Sequence, residues 1–443
     1  MKKILVILIV YSIPVLSQWS EQSTGIPFTI FSLSAVNDNI VWASASGANI
    51  LRTTNGGDLW QNVGTNVPPP MGVEPCIFAI DANTAIFSCY AGSPVRTAYV
   101  YKTTNAGASW SLVFSQGSDA YISGIWIKNN NEGFMVGWPV GGRWSLWKTT
   151  NAGNNWDSTG MYIPESDPSV WSFENGIFVL NIQVWFGARG KGVYYSSNNG
   201  ANWVLQDLTF SGFPYPSAIW FDSPTNGFSS ADRNIVKTTN SGTNWAITPG
   251  SSGPEIIRGI TGTGNYWWYV RFLSNQIFYT TNGGQNWAAQ YTAPSSAGYN
   301  HITKGRNGSS RLWAARIDGG ISTYTGELGI SKIENNIPST FELYQNYPNP
   351  FNPTTKIKFD LPKSNLTLSE AKGLIVVLKV YDALGREIQT LVNEQLQPGT
   401  YEVDFPAPAG DGSNFASGIY YYTLFAGDPS APLRMTKKMI LIK

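Results

Sequence analysis

The sequence predicts an all-β chain: a seven-bladed β-propeller, with six blades as the alternative, followed by a small antiparallel Ig-like β-sandwich. Two observations carry this expectation. An octet of the form Thr/Ser-x-Asn-x-Gly-x-x-Trp recurs six times, and all 18 tryptophans of the 443 residues lie between Trp19 and Trp313. The first observation sets the architecture of the larger part, and the second marks where that part stops.

The octets read "TTNGGDLW" (53–60), "TTNAGASW" (103–110), "TTNAGNNW" (149–156), "SSNNGANW" (196–203), "TTNSGTNW" (238–245) and "TTNGGQNW" (280–287). Their tryptophans are 50, 46, 47, 42 and 42 residues apart, and periods of about 40–50 residues mark four-stranded propeller blades. A strand-like segment such as "NILR" or "YVYK" precedes each octet, and another precedes that, so each octet falls in the turn between a third and a fourth strand.

Within the turn, the repeated residues are Asn55, Gly57 and Trp60; Asn105, Gly107 and Trp110; Asn151, Gly153 and Trp156; Asn198, Gly200 and Trp203; Asn240, Gly242 and Trp245; and Asn282, Gly284 and Trp287. The Asn side chain closes an Asx turn, and Gly accepts the positive φ of a tight reversal. A Thr or Ser hydroxyl bonds exposed main chain, and Trp packs between sheets, where such a ring buries about 150–250 Å². The repeat is read as a fold element, with no catalytic role.

After Trp287, "SRLWAARIDGGISTYTG" (310–326) supplies strands of a seventh blade without an octet. "QWSEQS" (18–23) resembles the strands that follow the octets, so Trp19 is expected to stand in for the seventh Trp and to zip the ring shut, leaving no open seam. These octets resemble the Asp-box, or BNR, repeats of sialidase-like propellers, with Asn in all six where the usual motif has Asp. In their "TTNxGxxW" form they resemble most closely the repeats of photosystem II assembly-factor-like propellers, over residues 18–325.

The amino-terminal segment has Lys2 and Lys3, an apolar run over 4–16 and Ser17. This reads as a signal peptide over 1–17, too short to span a bilayer, with no later transmembrane segment. A linker is expected at 326–340. Beyond it, 355–361, 374–381, 400–405 and 418–425 read as strands, with a turn at "DALG" (382–385). The words "YQNYPNPFNPTT", "VYDALGREIQTLV", "LQPGTYEVDF", "ASGIYYYTL" and "TKKMILIK" look like the type A C-terminal sorting domain of the type IX secretion system, covering 341–443. "KSNLTLSEAKG" (363–373) is an insert relative to that pattern. The resemblance implies the type IX machinery as a partner and a secreted or outer-membrane-surface location in a Gram-negative bacterium of the Bacteroidetes type.

Lys and Arg total 29 against 28 Asp and Glu, so nothing draws the chain to nucleic acid. A single histidine, His301, disfavours His-based metal sites and His-dependent nucleophilic catalysis; no cofactor or metal is expected, and a monomer is. Cys76 and Cys89 would face each other if Ala82 and Asn83 form a hairpin tip, which allows a disulfide in an oxidising compartment. The other reading is two small buried hydrophobes.

Two functional readings follow. In the first, Arg96, Arg143, Arg189, Arg233, Arg271 and Arg316 each fall between a second and a third strand, so they share the rim opposite the octets. Guanidinium forks there would suit anions, with Trp138, Trp144, Trp185 and Trp268 as nearby stacking surfaces or core. This makes the chain a non-enzymatic binder of an extracellular protein or glycan. In the second it is a glycoside hydrolase of sialidase-like or xyloglucanase-like type, which needs paired carboxylates; Asp119, Asp222, Asp232 and Asp318 are the candidates. The Phe/Tyr-Arg-Ile-Pro start of sialidase-like enzymes is absent.

Overall fold

The computed structural model describes residues 19–442 apart from 71, 130, 209–213, 307–310, 326–330, 335–336, 353, 364–373, 397, 407–416 and 428–432. The leader read over 1–17 and most of the insert at 363–373 lie outside the described residues. Over 19–324 the described residues form seven antiparallel sheets, six with four strands and one, over 122–149, with three. We number them one to seven by their first strands: Ile30–Ala35, Val73–Ala79, Ile122–Ile127, Ser172–Leu180, Ile219–Phe221, Ile257–Thr263 and Tyr299–Lys304. Each first strand contacts the first strand of the next sheet, and Tyr299–Lys304 returns to Ile30–Ala35. The sheets therefore stand around one axis as a β-propeller.

Closure follows the expected route. Trp19–Ser23 takes the outermost place in sheet seven, pairing antiparallel with Gly320–Tyr324. Trp19 is buried, stacks on Tyr291 at 5.7 Å and donates from Nε1 to Gln290 Oε1 at 2.9 Å. The same strand reaches sheet one, where Gln22 Nε2 donates to Gly56 O at 2.7 Å.

All six octets form one lattice of hydrogen bonds. The Thr or Ser hydroxyl donates to Asn Oδ1 at 2.7–3.0 Å. That hydroxyl oxygen accepts the Gly N–H at 2.8–3.1 Å. Asn Oδ1 also accepts the backbone N–H four residues on, at 2.9–3.2 Å. Both lattice bonds made by the Asn side chain use its amide as an oxygen acceptor, so a neutral Asn does here what a carboxylate would. The residue before the Gly also has positive φ, 56–70°, which is why it is Gly, Ala, Asn or Ser.

Each octet Trp then packs on the preceding sheet. Trp60 meets Trp313 edge-on at 6.2 Å, Trp110 meets Trp42 at 6.1 Å, and Trp287 meets Phe228 at 6.0 Å. Trp156, Trp203 and Trp245 join the clusters of Ile86, Phe134 and Trp185. A second staple was not foreseen. The cation just before the octet reaches the following sheet: Arg52 Nε donates to Ala82 O, Lys102 Nζ to Ala152 O and Lys237 Nζ to Gly283 O, each at 2.8 Å. Its sequence trace is the Lys or Arg that precedes four of the six octets.

The cysteine pairing is corrected. The hairpin loop is one residue longer than assumed, because Ile80 N–H bonds Thr84 O and Asp81 Oδ1 accepts from Asn83 and Thr84. Cys76 therefore lies opposite Ser88. A one-residue slip sends side chains to opposite faces of the sheet, and the two cysteines are not bridged but buried in different clusters.

The tail is a sandwich of two four-stranded sheets. One is ordered Ser331–Glu334, Gly399–Pro406, Thr354–Leu361, Glu342–Leu343; the other Glu387–Leu396, Leu374–Asp382, Gly418–Ala426, Leu433–Leu441. Alternating inward residues such as Ile357, Phe359, Val376, Leu378, Val403, Tyr422 and Leu424 make its core. Its first strand, Ser331–Glu334, lies inside the stretch expected to be linker.

Candidate binding face

Strand alternation places the second-to-third-strand turns, and the links from one sheet to the next, at the end of the ring opposite the octets. The six arginines reach this end, but with different fates. Arg271 is 2% exposed and donates to Glu255 O at 2.6 Å and to Ser251 O; Arg316 is 5% exposed and pairs with Glu21 at 2.5 Å and Asp318 at 3.2 Å. Both turn inward, because the glycines beside them leave room: a Cβ on Gly253 or Gly320 would collide with the guanidinium. These two are structural, contrary to the expectation of an open rim. Arg316 also locks the closing strand through Glu21.

The other four stay near the surface. Arg143 donates to Ser158 Oγ at 3.0 Å, and Arg233 is 56% exposed with Asp232 at 3.8 Å. Arg96 forms a bidentate pair with Asp119, at 2.7 and 3.0 Å, and its fork holds that carboxyl below the ordinary range. Arg96 also stacks on Trp138 at 4.4 Å and Tyr90 at 5.7 Å. Arg189 lies 3.7 Å from the centre of Trp171 and 4.9 Å from that of Tyr215, and donates to Tyr215 OH and Ser169 O, both at 2.6 Å.

These contacts join into one ridge. Tyr90 meets Tyr121 at 5.1 Å, Tyr121 stacks on Trp138 at 4.6 Å, and Trp138 meets Trp171 at 5.7 Å. Tyr90, Arg96, Trp138, Trp171, Arg189 and Tyr215 are all partly exposed. The ridge crosses sheets two to five. Of the aromatics expected nearby, only Trp138 belongs to it; Trp144, Trp185 and Trp268 are core residues. Trp171, Tyr215 and Tyr90 carried no sequence signal, since none belongs to a repeated word.

Beside the ridge the axial channel is capped. The first strand of sheet four breaks register between Ser172 and Ile177, and the extra residues cross the axis. Asn175 accepts from Ser32 Oγ at 2.5 Å and donates to Phe31 O at 3.0 Å, both on sheet one. Glu174 accepts from Tyr121 OH at 2.7 Å and pairs with Arg258 of sheet six at 3.2 Å. Burial, and next the charge of Glu174, push the Tyr121 phenol well above its ordinary pKa, so it stays protonated and is a poor nucleophile.

The four candidate carboxylates do not gather in one cleft. Asp119, Asp232 and Asp318 lie at the ridge end with arginine partners. Asp222 follows a first strand, which puts it at the octet end, where it accepts from Asn226 Nδ2 and Gly264 N–H at 2.8 Å each.

No protein-family model matches the chain, and no curated protein does. Solved structures do. A structure of YCF48 bound to D1 peptide is 16% identical, covering 70% of this chain and 97% of that one, with a TM-score of 0.52. The GH74 xyloglucanase from Xanthomonas campestris is 10% identical, covering 92% and 80%, with a TM-score of 0.53. The GH74 enzyme of Niastella koreensis is 12% identical, covering 94% and 74%, with a TM-score of 0.51. At these identities the likeness concerns fold: the chain has a β-propeller of the kind seen in YCF48 and the GH74 proteins.

Proposed function

We propose that this chain is a non-enzymatic binding protein that captures a protein or polysaccharide partner on the ridge of Tyr90, Arg96, Trp138, Trp171, Arg189 and Tyr215. The observation that carries this reading is the half-exposed alternation of Arg with Trp and Tyr over four sheets. Aromatic and Arg side chains held rigid by their neighbours dominate binding energy at protein surfaces, because little entropy remains to be lost on contact. The YCF48 structure, in which a propeller of similar shape is bound to a peptide, supports a protein partner. We further propose export by the leader over 1–17 and by the tail acting on the type IX secretion machinery, which puts the binder outside the cell.

The GH74 likeness keeps glycoside hydrolysis as the second reading. Separated carboxylates and a protonated Tyr121 weigh against it. The test applies the full chain to peptide and β-glycan arrays and to xyloglucan with a reducing-sugar assay. Retention without sugar release, weakened at least about tenfold (~1.4 kcal/mol) by Trp171→Ala or Arg189→Glu, is expected. Sugar release supports the hydrolase instead, and retention that ignores both changes removes the ridge as the site.

A further inference from the structure

The first strands of all seven sheets line an axial channel that is partly open to solvent. The crossing at Glu174 and Asn175 lies at one end, so the channel is approached from the octet end. Lys304 and Arg306 bring positive charge to its wall, whereas Arg258 is paired with Glu174 at the capped end.

Arg306 is the central case. It lies deep in protein, yet it is partly exposed where it borders the channel. Its guanidinium donates to neutral oxygens, Ser34 Oγ at 3.3 Å and Ala79 O, and stacks on Phe78 at 4.3 Å. Burial lowers its pKa to about 10, so it remains a cation at neutral pH. His301 adds a second donor. Its Nδ1 accepts from Leu33 N–H at 2.9 Å, which leaves the ring proton on Nε2.

Phe78, Trp126 and Trp220 line the same channel, with Phe178 packed behind the tryptophans. Phe78 meets Trp126 at 5.5 Å, Trp126 meets Trp220 at 6.2 Å, and Phe178 lies 4.9 and 5.1 Å from the two tryptophans. Trp126 and Trp220 are partly exposed on the channel. A site that pairs a desolvated guanidinium with flat apolar surface selects an anion carried on a ring. The guanidinium supplies the fork for a carboxylate, and the tryptophans supply stacking.

We propose that the channel binds a small aromatic carboxylate, its carboxyl group on Arg306 and its ring against Trp126 and Trp220. This site is independent of the ridge at the other end. Benzoate is the probe, with benzamide as its uncharged counterpart, titrated into the full chain by calorimetry and tryptophan fluorescence. The expected result is one benzoate per chain, quenching of tryptophan emission and no binding of benzamide. Arg306→Gln should weaken benzoate at least about tenfold (~1.4 kcal/mol). Because that change also removes links to sheets one and two, Trp220→Leu is the second variant, with the same loss expected and circular dichroism unchanged. Absence of benzoate binding at millimolar concentration, equal binding of benzamide, or indifference to Trp220→Leu would each overturn the proposal.

Discussion

At the scale of single residues, His301 shows how position sets chemistry. Burial drives its pKa from 6.5 down to about 4, and the ring is neutral because Nδ1 must accept the Leu33 N–H. As pH falls through 6.5 the unfolded chain takes up a proton that the folded chain refuses until about pH 4. The stability gained from the neutral ring is therefore complete above pH 6.5 and is lost between the two values, by at most about 3 kcal/mol. Denaturant titrations at stepwise pH should show that decline, and His301→Asn, which keeps an oxygen acceptor without a titrating group, should flatten it. An unchanged slope in the variant would assign the decline to carboxylates. Residue detail was also where the sequence was least legible. Arg271 and Arg316 look like their rim counterparts in the chain, and only the space left by Gly253 and Gly320 turns them inward. One added loop residue was enough to part Cys76 from Cys89.

At the scale of elements, the octet turn was legible almost entirely, because its bonds are local and repeat with the words that make them. Its lattice uses Asn240 only as an acceptor, from Thr238 Oγ1 and Asn244 N–H. Asn240→Asp should therefore change stability little, whereas Asn240→Ala strands both donors and should cost about 1–3 kcal/mol. Urea unfolding of the two variants measures the difference; equal losses would mean that the amide hydrogens matter after all. The ridge was only half legible. Arg96, Arg189 and Trp138 stood out by placement between strands, but Trp171 and Tyr215 sit in links between sheets, where no period marks them. The crossing at Glu174 and Asn175 was hidden for the same reason: it is an irregularity inside a strand, visible only once the opposite wall of the channel is in place.

At the scale of the whole molecule, the composition break after Trp313 marked the division between ring and tail, and the tail strands were read within a residue or two. The linker was drawn too long, since Ser331–Glu334 pairs with Gly399–Pro406. If the tail directs export and is then removed, a cut after residue 334 would leave one of its strands on the passenger, and a cut before Ser331 would leave none. Intact-mass measurement of exported protein should thus give a species starting near Gln18 and ending before Ser331. A species that retains 399–406 would show that the tail is kept, and one that begins at Met1 would exclude leader removal.

The closing strand has a further consequence for synthesis. Ser20 and Thr323, joined side chain to side chain at 3.0 Å, are 303 positions apart, so the closing strand, made well before its partner, is among the last to find its place. Until then sheet seven lacks its border strand and Trp19 lacks its pocket. Loop-closure entropy over such a span makes this join slow relative to the local hairpins. If the chain is exported as proposed, its closing strand must wait for its partner, and the ring can shut only when nearly all of the propeller has arrived on the far side.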